Sequence, residues 1–506
     1  MNNAMQYLKT MSQPRPQSFT SLGYDFAGAN SSIQNICDDS RAIKKGDTFL
    51  CMPRTAEQSQ KYIQYAIAAG ASSIIYIGND YMNSSIPCLY LSNMDEAGTF
   101  LRRYFQTEQS TTQCIGITGT DGKTSVTWIL REVLAKKYGS AWSSGTLGWV
   151  EDHKHIRDLG NTTPSILSLH HLLSAANKQG IPALVMEVSS HGIEQQRIAG
   201  LHFDAAVWTT LGHDHLQDHG GFEAYASLKS HFIYHTGKHG GTVVYNADQK
   251  NISKQLSPAD FKLHAYAHGL YQHNKKVDML MWEQELPGLL RLAYQGKEIV
   301  IDDIPVGRFH AENIAAVAQL LHSHYKLDLQ EIAGLLCGVT APSGRMQPVN
   351  AGVLQVFIDY AHTAEALQAC LESIRPLTHG RLFLVFGCGG ERDREKRPAM
   401  GRIASEFADV IWITSDNPRH ERPEMIASEI EEGIAHPYPS EVHLELNREQ
   451  AIADAISHMN SDDTLIIAGK GHEEYMDVQG ERLPWSDMAC AQHLLHQKDT
   501  EQVSCI

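Results

Sequence analysis

At 506 residues the chain is too long for one ordinary hydrophobic core, and usual domain sizes predict about three domains. Its formal net charge of −16 argues against nonspecific binding to nucleic acid or to anionic membranes, because both need a basic surface. The segment Met1–Ser18 is polar and no run of about 18 apolar residues occurs, so we expect a cytoplasmic protein without membrane insertion.

Residues 1–112 are predicted to form a small α/β domain. The residue patterns place its elements at Lys45–Leu50 (turn and strand), Lys61–Ala69 (helix), Ser72–Ile77 (strand) and Asp95–Phe105 (helix). Ser40 and Arg41 lie where a strand ends in a loop. That position suits recognition of a polar ligand, although a capped turn explains the two residues equally well.

The stretch Gly116–Ser125 joins a short apolar strand at Cys114–Ile117 to a segment with helical spacing. Its glycines let backbone N–H groups approach an anion, and the helix N-terminus adds partial positive charge. Lys123 can then reach the β- and γ-phosphates of a nucleotide, and a following hydroxyl can hold Mg²⁺. Because Ile117 stands where the strict Walker spacing has glycine, a plain glycine turn with a surface lysine is the alternative for this motif alone.

Residues 113–346 are predicted to form a central ATP-binding domain. Strand and helix patterns alternate through Ala141–Val150, Pro164–Gln179, Ile181–Val188, Phe203–Leu211 and Gly221–His235, which favours a parallel sheet with helices on both faces. Ligands gather at the carboxyl ends of such strands, where Glu187 and His215 fall, with Lys229 on the next helix. Each is better explained alone as a hydrogen-bonded acid, a loop histidine or a solvated lysine. Their joint placement reverses that preference.

Residues 347–506 are predicted to form a second doubly wound α/β domain. Strand patterns at Val353–Tyr360, Arg381–Phe386, Asp409–Thr414 and Thr464–Ala468 are separated by helical patterns at Thr363–Ile374, Pro398–Phe407, Pro423–Ile434 and Arg448–Met459. Each strand runs into a polar or glycine-rich loop, namely Asp359–His362, Gly387–Arg394, Ser415–Arg419 and Gly469–Glu473. Four such loops at one sheet edge are more than turn formation requires.

In sequence and in order, these motifs resemble those of the Mur ligases, the ATP-dependent amino-acid ligases of peptidoglycan precursor synthesis. The matching stretches are the phosphate loop, Asn161–Pro164, Met186–His191, Asp214–Leu216, Gly344–Met346, Asp359–Thr363, Asp416–Arg419 and Ala468–Glu473. The resemblance covers nearly the whole chain. It is closest to the members that add meso-2,6-diaminopimelate to UDP-N-acetylmuramoyl-L-alanyl-D-glutamate.

The resemblance implies three α/β domains: an N-terminal UDP-sugar-binding domain, a central P-loop-type ATPase domain and a C-terminal Rossmann-like, amino-acid-binding domain. It also implies a reaction in which ATP phosphorylates the substrate carboxylate, and a neutral amine then attacks the acyl phosphate to give an amide, ADP and phosphate. Forming the acyl phosphate requires domain closure. We expect small-molecule partners only, no nucleic acid, and a monomer.

The resemblance further implies a role for each matched residue. The residues that it implies to be catalytic are Lys123, Glu187, His215 and Lys229. The implied magnesium ligands are Thr124 or Ser125, Glu187, His215 and Lys229. Lys229 is expected to be carbamylated to N6-carboxylysine, because the metal would repel a plain ammonium. The residues implied to bind ATP are Gly119, Thr120, Asp121, Gly122, Lys123, Thr124, Ser125, Asn313, Arg345 and Asp359. The residues implied to bind the UDP-sugar dipeptide are Ser40, Arg41, Thr162, Thr163, Ser189 and Arg197. Those implied to bind diaminopimelate are Arg392, Asn417, Arg419, Gly469 and Glu473.

Several positions depart from the family pattern. Arg54–Tyr62 lacks the Asp-Gly-His that normally follows the second strand of the first domain, and His310 stands where the first asparagine of the adenine segment is usual. These departures leave two alternatives open: a diverged ligase that acts on a different carboxylate, and a non-catalytic ATP-binding regulatory protein. The retention of His215 and Lys229 favours the ligases.

Overall fold

The computed structural model describes residues 2–14, 17–25, 32–79, 83–151, 154–212, 219–269, 278–286, 288–349, 354–434 and 440–504. The chain divides into two compact units. The first takes in Met1–Tyr266, Lys276–Met279 and Gln319–Lys326, and the second takes in the rest. The predicted boundaries at 112/113 and 346/347 stay a prediction.

The first unit begins with a small α/β layer. Its elements are α1 (Asn2–Ser12), β1 (Gln17–Ser18), β2 (Ser32–Ile33), β3 (Ile36–Cys37), β4 (Thr48–Cys51), α2 (Ala56–Ala68), β5 (Ser73–Ile77), β6 (Cys88–Leu91) and α3 (Met94–Phe105). Strands β3, β4, β5 and β6 pair in parallel in that order, an arrangement within the predicted α/β domain that the sequence analysis did not specify. Helix α2 begins earlier than predicted because the Thr55 side chain accepts a hydrogen bond from the Gln58 N–H, at 3.3 Å.

A larger sheet follows in the same unit. Its elements are β7 (Gln113–Thr118), α4 (Lys123–Tyr138), β8 (Trp142–Gly145), β9 (Gly148–Glu151), β10 (Lys154–Arg157), α5 (Ile166–Lys178), β11 (Ala183–Glu187), α6 (Ser190–Glu194), β12 (Ala205–Trp208), α7 (Phe222–Lys238), β13 (Thr242–Asn246), α8 (Lys250–Leu256) and β14 (Leu263–His268). The strand order is β10-β9-β8-β11-β7-β12-β13-β14, and every pair from β8 to β14 is parallel. The predicted parallel sheet is confirmed.

The single strand predicted over Ala141–Val150 is wrong. The segment folds instead as an antiparallel hairpin of β8 and β9, in which Gly145 pairs with Gly148 across a two-residue turn. Gly148 has a φ of +82°, a backbone conformation that favours glycine. The strand pattern was therefore correct on both sides of the turn, and the turn itself was missed.

Helix α1 was not predicted, because Met1–Ser18 is polar overall. Its buried residues are Ala4, Leu8 and Ser12, which lie four apart on one helical face. The Ser12 hydroxyl lies 2.6 Å from Nδ1 of the buried His171 on α5. A face this narrow gives little apolar signal, so only the packed structure reveals the helix.

The rest of the chain forms antiparallel strands followed by a second doubly wound sheet. The elements are β15 (Asp278–Leu286), β16 (Leu289–Tyr294), β17 (Lys297–Ile301), α9 (Arg308–Ser323), α10 (Leu329–Leu336), β18 (Gln347–Pro348), β19 (Gln355–Asp359), α11 (Ala364–Ile374), β20 (Leu382–Phe386), α12 (Lys396–Phe407), β21 (Val410–Ile413), α13 (Pro423–Glu431), β22 (Glu441–Leu444), α14 (Arg448–His458), β23 (Thr464–Ala468), β24 (Tyr475–Val478), β25 (Glu481–Pro484) and α15 (Asp487–Ser504). The antiparallel pairing of β15, β16 and β17 was not predicted.

The second sheet has the strand order β18-β19-β23-β20-β21-β22, with all pairs from β19 to β22 parallel. Along β20, Leu382, Leu384 and Phe386 enter the core formed with α11, α12 and α13. The alternate residues Phe383 and Val385 enter the core formed with α14 and α15. Helices therefore cover both faces, and the predicted doubly wound domain is confirmed. Among the residues that the structure describes, no helix has the length and apolar character needed to cross a bilayer.

Replacement of Gly98 in α3 tests the packing of the first unit. A Cβ at this position would lie 2.4 Å from the backbone nitrogen of Gly200, so Gly98→Ala forces the helix away from that segment. We expect a loss of about 1–3 kcal/mol of stability, measured as a lower thermal unfolding midpoint. The control is Gly334→Ala in α10, where nothing lies within 4 Å of the added methyl. Equal midpoints for the two variants would contradict the packing.

Candidate active site

The phosphate loop, residues 116–125, runs from the end of β7 into α4. Gly119 has a φ of +154°, and a Cβ there would lie 2.0 Å from the Thr209 hydroxyl, so only glycine fits. Gly122, with a φ of +84°, precedes the first residue of α4 and offers no side chain to cap the helix. The first N–H groups of α4 therefore lack the usual capping side chain, which is the arrangement that binds phosphate.

Residues that follow β12 fix the shape of the phosphate loop. The Thr210 carbonyl accepts a hydrogen bond from the Thr120 N–H at 3.0 Å, and the Thr210 hydroxyl accepts one from the Asp121 N–H at 2.8 Å. The Thr209 hydroxyl donates to the Asp121 carbonyl. Asp121 itself is exposed to solvent. The loop is therefore held in place from the adjacent parallel strand.

Two lysines converge on the Gly119 carbonyl. Lys123 donates to it from Nζ at 2.9 Å and to the Thr120 carbonyl at 2.7 Å. Lys229, from α7, donates to the same Gly119 carbonyl at 2.9 Å and is only 1% exposed. Its Nζ also lies 4.5 Å from the centre of the Tyr225 ring. Lys229 therefore contacts the phosphate loop directly, and its predicted carbamylation and metal role stay a prediction.

Glu187 ends β11 with its carboxylate 2% exposed. The Thr124 hydroxyl donates to Oε2 at 3.1 Å, and Thr146 donates to Oε1 from its N–H at 2.8 Å and to Oε2 from its hydroxyl at 3.2 Å. A Cβ on Gly145 would lie 2.1 Å from Oε1, so glycine is needed for this approach. Carboxylate and hydroxyl oxygens are the donors that Mg²⁺ prefers, so the residues present fit that ion.

His215 lies outside the described residues, and its predicted place in the site stays a prediction. Within the described ranges no group of three or more His, Cys, Asp or Glu side chains is arranged to hold a metal ion. A magnesium site here would therefore combine Glu187 with hydroxyl groups, nucleotide oxygens and residues such as His215.

Thr162, Thr163, Ser189 and Arg197 lie together beside Glu187. The Thr163 hydroxyl donates to the Glu187 carbonyl at 2.9 Å and lies 3.0 Å from the Ser189 hydroxyl. The Thr162 hydroxyl lies 3.2 Å from that of Thr146. Arg197 donates to the Thr163 carbonyl at 2.7 Å, and burial lowers the pKa of its guanidinium. Four of the six residues predicted for one substrate are thus linked to the end of β11.

The other two predicted residues, Ser40 and Arg41, lie on the loop after β3. Ser40 is buried, whereas the Arg41 side chain is 87% exposed. Arg41 forms two hydrogen bonds to the Asp39 carboxylate, each 3.0 Å long, and this contact holds the pKa of Asp39 below its ordinary value. The Arg41 and Asp39 charges therefore pair with each other, and both are accessible to solvent.

In the second unit, Asp359 connects the end of β19 to the segment that precedes β18. Its carboxylate accepts hydrogen bonds from the N–H groups of Met346 and Ala361, both at 2.7 Å. The Arg345 guanidinium lies 4.6 Å from the centre of the Tyr360 ring. Burial raises the pKa of Tyr360 to about 12, so its phenol stays protonated. Asp359 and Arg345 therefore lie in adjoining segments, and their predicted contact with the nucleotide stays a prediction.

His310 and Asn313 are both buried on α9. Nε2 of His310 lies 3.1 Å from the Arg345 carbonyl, and burial lowers the pKa of His310 to about 4. Because a carbonyl only accepts hydrogen bonds, the neutral ring carries its proton on Nε2. The histidine that departs from the family pattern thus anchors the backbone of Arg345, which sequence reasoning did not foresee.

Three loops at the carboxyl edge of the second sheet, residues 387–394, 415–419 and 469–473, bring together the residues predicted to bind an amino acid. The Asn417 amide nitrogen donates to Oε2 of Glu473 at 2.8 Å. Arg419 has a φ of +50°, donates to the Gly390 carbonyl and has its Nε 4.0 Å from the Asp477 carboxylate. These contacts bring a carboxylate and a guanidinium to the same loop group.

Two glycines leave space within these loops. A Cβ on Gly389 would lie 3.1 Å from the Arg419 guanidinium and 3.7 Å from Cγ of the exposed Arg392. A Cβ on Gly469 would lie 2.9 Å from the Asp416 carboxylate, and Gly469 has a φ of +109°. All five predicted residues therefore belong to one loop group.

A buried ion pair that sequence reasoning missed lies beneath these loops. Arg448 and Asp487 are both fully buried and share two hydrogen bonds, each 2.7 Å long. The Arg448 guanidinium also donates to the carbonyls of Ser415, at 3.1 Å, and Ala468, at 2.9 Å. It therefore holds the starting points of two of the three loops. Arg448 is the first residue of α14, where a positive charge is unfavourable to the helix dipole. This unusual position was the one sequence signal that could have indicated a buried partner.

Comparison with known protein families matches residues 117–321 to the Mur ligase middle domain and residues 344–471 to the Mur ligase, glutamate ligase domain. The chain is 34% identical over 480 residues to the UDP-N-acetylmuramoyl-L-alanyl-D-glutamate--2,6-diaminopimelate ligase of Ectopseudomonas mendocina (strain ymp), covering 92% of this chain and 95% of that one. It is 33% identical over 490 residues to the ligase of the same name from Aquifex aeolicus (strain VF5), covering 96% and 98%.

Solved structures give the same grouping. A structure of a UDP-N-acetylmuramoyl-L-alanyl-D-glutamate--2,6-diaminopimelate ligase matches with a TM-score of 0.67 and 27% identity, over 96% of this chain and all of that one. The MurF ligase from Thermotoga maritima in complex with ADP matches with a TM-score of 0.60, over 92% and 98%. At 16% identity, that second likeness shows a shared fold alone.

The buried ion pair gives a stability prediction for the second unit. Asp487→Ala leaves the Arg448 guanidinium charged and unpaired in the core, so we expect a loss of about 3–5 kcal/mol, measured by chemical unfolding. The control is Glu406→Ala, which breaks the exposed Arg402–Glu406 pair at one turn's spacing on α12 and should change stability little. Similar losses for both variants would contradict the role assigned to the buried pair.

Proposed function

The chain belongs to the Mur ligase family, and from this premise we propose that it joins meso-2,6-diaminopimelate to UDP-N-acetylmuramoyl-L-alanyl-D-glutamate with ATP, in peptidoglycan precursor synthesis. The single observation that carries the proposal is the edge where β7, β11 and β12 end. There the phosphate loop, Glu187 and Lys229 meet. Relatives bearing this ligase name, a third identical over nearly their full length, support the choice of substrates.

ATP is proposed to bind with its phosphates over the phosphate loop. Lys123 lies against two loop carbonyls and has only to swing outward to meet the β- and γ-phosphates. Thr124 and Glu187 would supply oxygen ligands for Mg²⁺, which when bound would neutralise charge on the phosphates. His215 is proposed to hold a second Mg²⁺. In the second unit, Asn313, Arg345 and Asp359 are proposed to contact the nucleotide.

Lys229 is proposed to act as its carbamate. Burial disfavours a charged ammonium, and the neutral amine is the form that reacts with CO₂. The carbamate nitrogen keeps one N–H, so the hydrogen bond to the Gly119 carbonyl survives the modification. The new carboxylate adds negative charge beside the phosphate loop, which suits a bound cation.

The carboxylate substrate is proposed to lie beside Glu187. Thr162, Thr163, Ser189 and Arg197 form a continuous polar group there, with hydroxyl donors and one guanidinium. That composition suits the sugar-peptide portion of the substrate and its acidic end. The exposed Arg41, with Ser40 beside it, is proposed to meet the uridine diphosphate portion.

The amine substrate is proposed to bind at the three loops of the second sheet. Diaminopimelate carries an ammonium and a carboxylate at its distal end, and a carboxylate with a guanidinium is the complement that such a group needs. Glu473 and Arg419 supply these two charges, with Asn417, Gly469 and Arg392 around them. The α-amine reacts in its neutral form. It attacks the acyl phosphate made from the substrate carboxylate, so that the amide bond forms and phosphate leaves.

A ligase of this family acting on another carboxylate is the second candidate. The observation behind it is the segment after β4, where the Arg54 guanidinium lies 5.0 Å from the centre of the Tyr62 ring in place of the usual Asp-Gly-His. Phosphate release separates the two. Release that requires both UDP-N-acetylmuramoyl-L-alanyl-D-glutamate and meso-diaminopimelate supports the first proposal. Release with diaminopimelate and another acid only supports the second.

The carbamate proposal predicts chemical rescue. Lys229→Ala should lower ligation by about 100-fold or more, because it removes the carboxylate proposed to support the cation that neutralises charge on the transferring phosphate. Short carboxylic acids added to the assay should restore part of the rate by occupying the space of the carbamate. Lys238→Ala on the same helix is the control, because that exposed lysine lies in the last turn. Unchanged activity in Lys229→Ala would remove the proposed role.

The amine-binding proposal predicts a selective loss. Arg419→Ala should raise the KM for diaminopimelate by about 10- to 100-fold, the worth of a charged hydrogen-bonded contact, and leave the KM for ATP little altered. Arg402→Ala, on the surface of the same unit, is the matched control. Use of lysine by the unmutated enzyme as efficiently as diaminopimelate would count against the role of Arg419.

A further inference from the structure

Lys470 is a buried lysine inside the third loop, and the proposed function gives it no role. Its side chain is 0% exposed. Nζ lies 2.9 Å from Oε2 of Glu473, 3.0 Å from Oδ1 of Asn417 and 3.5 Å from Oδ1 of Asp416. The ammonium thus donates hydrogen bonds to Glu473 and Asn417 and forms an ion pair with Asp416.

The contact with Asn417 fixes which way its amide points. Because Lys470 and the Asp477 N–H both donate to Oδ1, the Asn417 amide nitrogen is turned towards Glu473. That nitrogen donates to Oε2 of Glu473 at 2.8 Å, the same oxygen that Lys470 contacts. Two donors on one carboxylate oxygen pin the rotation of the Glu473 side chain.

The charges around Lys470 also suit the binding of an ammonium group. Asp416 and Glu473 are partly or fully buried, with side chains 6% and 18% exposed, and Lys470 contacts both. The ammonium therefore compensates one of two buried negative charges, and the trio keeps a net negative charge. A site of this kind accepts one further ammonium without an uncompensated buried charge.

We propose that Lys470 is a positioning residue for the amine substrate: it holds Glu473 by Oε2, directly and through Asn417, so that Oε1 receives the distal ammonium of the amino acid. This inference rests on the proposed function, because it assigns Glu473 to that substrate. Lys470 itself touches no substrate in this arrangement and acts only through its neighbours.

A double-mutant cycle tests whether Lys470 acts through Glu473. Lys470→Met and Glu473→Gln should each raise the KM for diaminopimelate by about tenfold or more, with the KM for ATP within about twofold. The double variant should be no worse than Glu473→Gln alone, because the residue that Lys470 positions has already lost its charge. A double variant whose KM rises by the product of the two single changes overturns the proposal. An unchanged KM in Lys470→Met does so as well.

Lys498→Met is the matched control for the loss of a lysine that is not fully exposed. Its Nζ donates to the Ile456 carbonyl at 2.6 Å and to the Met459 carbonyl at 3.1 Å, at the C-terminal end of α14, whereas Arg448 is the first residue of that helix. Lys470→Met leaves two buried carboxylates together, so poor folding is a foreseeable result. The same cycle is then run in an Asp416→Asn background, which removes one of those charges and leaves the contacts between Lys470, Asn417 and Glu473.

A structural measurement separates this proposal from the proposed function. Absence of diaminopimelate-dependent phosphate release by the unmutated enzyme would contradict the function, whatever the variants do. Crystal structures of the unmutated protein and of Lys470→Met require no activity. Rotation of the Glu473 carboxylate away from Asn417 in the variant supports positioning, and an unmoved Glu473 overturns it.

Discussion

The carboxylate of Glu187 is the point on which the first unit's site depends. Parallel pairing of β11 and β7 sets Glu187 opposite Ile117, directly before the phosphate loop, and β12 ends at the same level with Trp208 opposite Thr118. Glu187 then accepts hydrogen bonds from Thr124 at the start of α4 and from Thr146 after β8. One acidic side chain thus joins the ends of β11 and β8 to the helix at which the phosphates are proposed to bind.

The second unit uses buried charge in a different way. Its three loops carry the polar groups proposed to bind the amine substrate, while the Arg448–Asp487 pair beneath them fixes where two of those loops start. Asp359 plays a similar part for the Arg345 segment by accepting two backbone N–H groups. In both units a parallel sheet supplies the rigid edge, and buried charged side chains fix the adjoining loops through hydrogen bonds.

Local patterns predicted much of this architecture. The strand ends at Glu187 and Asp359 and the loop motifs around Lys123 and Arg419 are continuous in sequence, so periodicity and glycine placement reveal them. Contacts between distant residues are different in kind. Arg448 and Asp487 are 39 residues apart, and the Thr146–Glu187 contact depends on a turn at Gly148 that the strand pattern concealed. Helix α1 was missed because its buried face is only three small or apolar side chains wide.

The central claim is that the phosphate loop and Glu187 form a metal–nucleotide site. The most direct measurement is a crystal structure of the protein grown with Mn²⁺ and a non-hydrolysable ATP analogue, with the metal located by its anomalous scattering. We expect the triphosphate over residues 119–125, in contact with Lys123, and a metal peak at the Thr124 hydroxyl and Glu187 carboxylate. A nucleotide bound elsewhere, or a triphosphate on the loop with its metal away from both Thr124 and Glu187, would contradict the account.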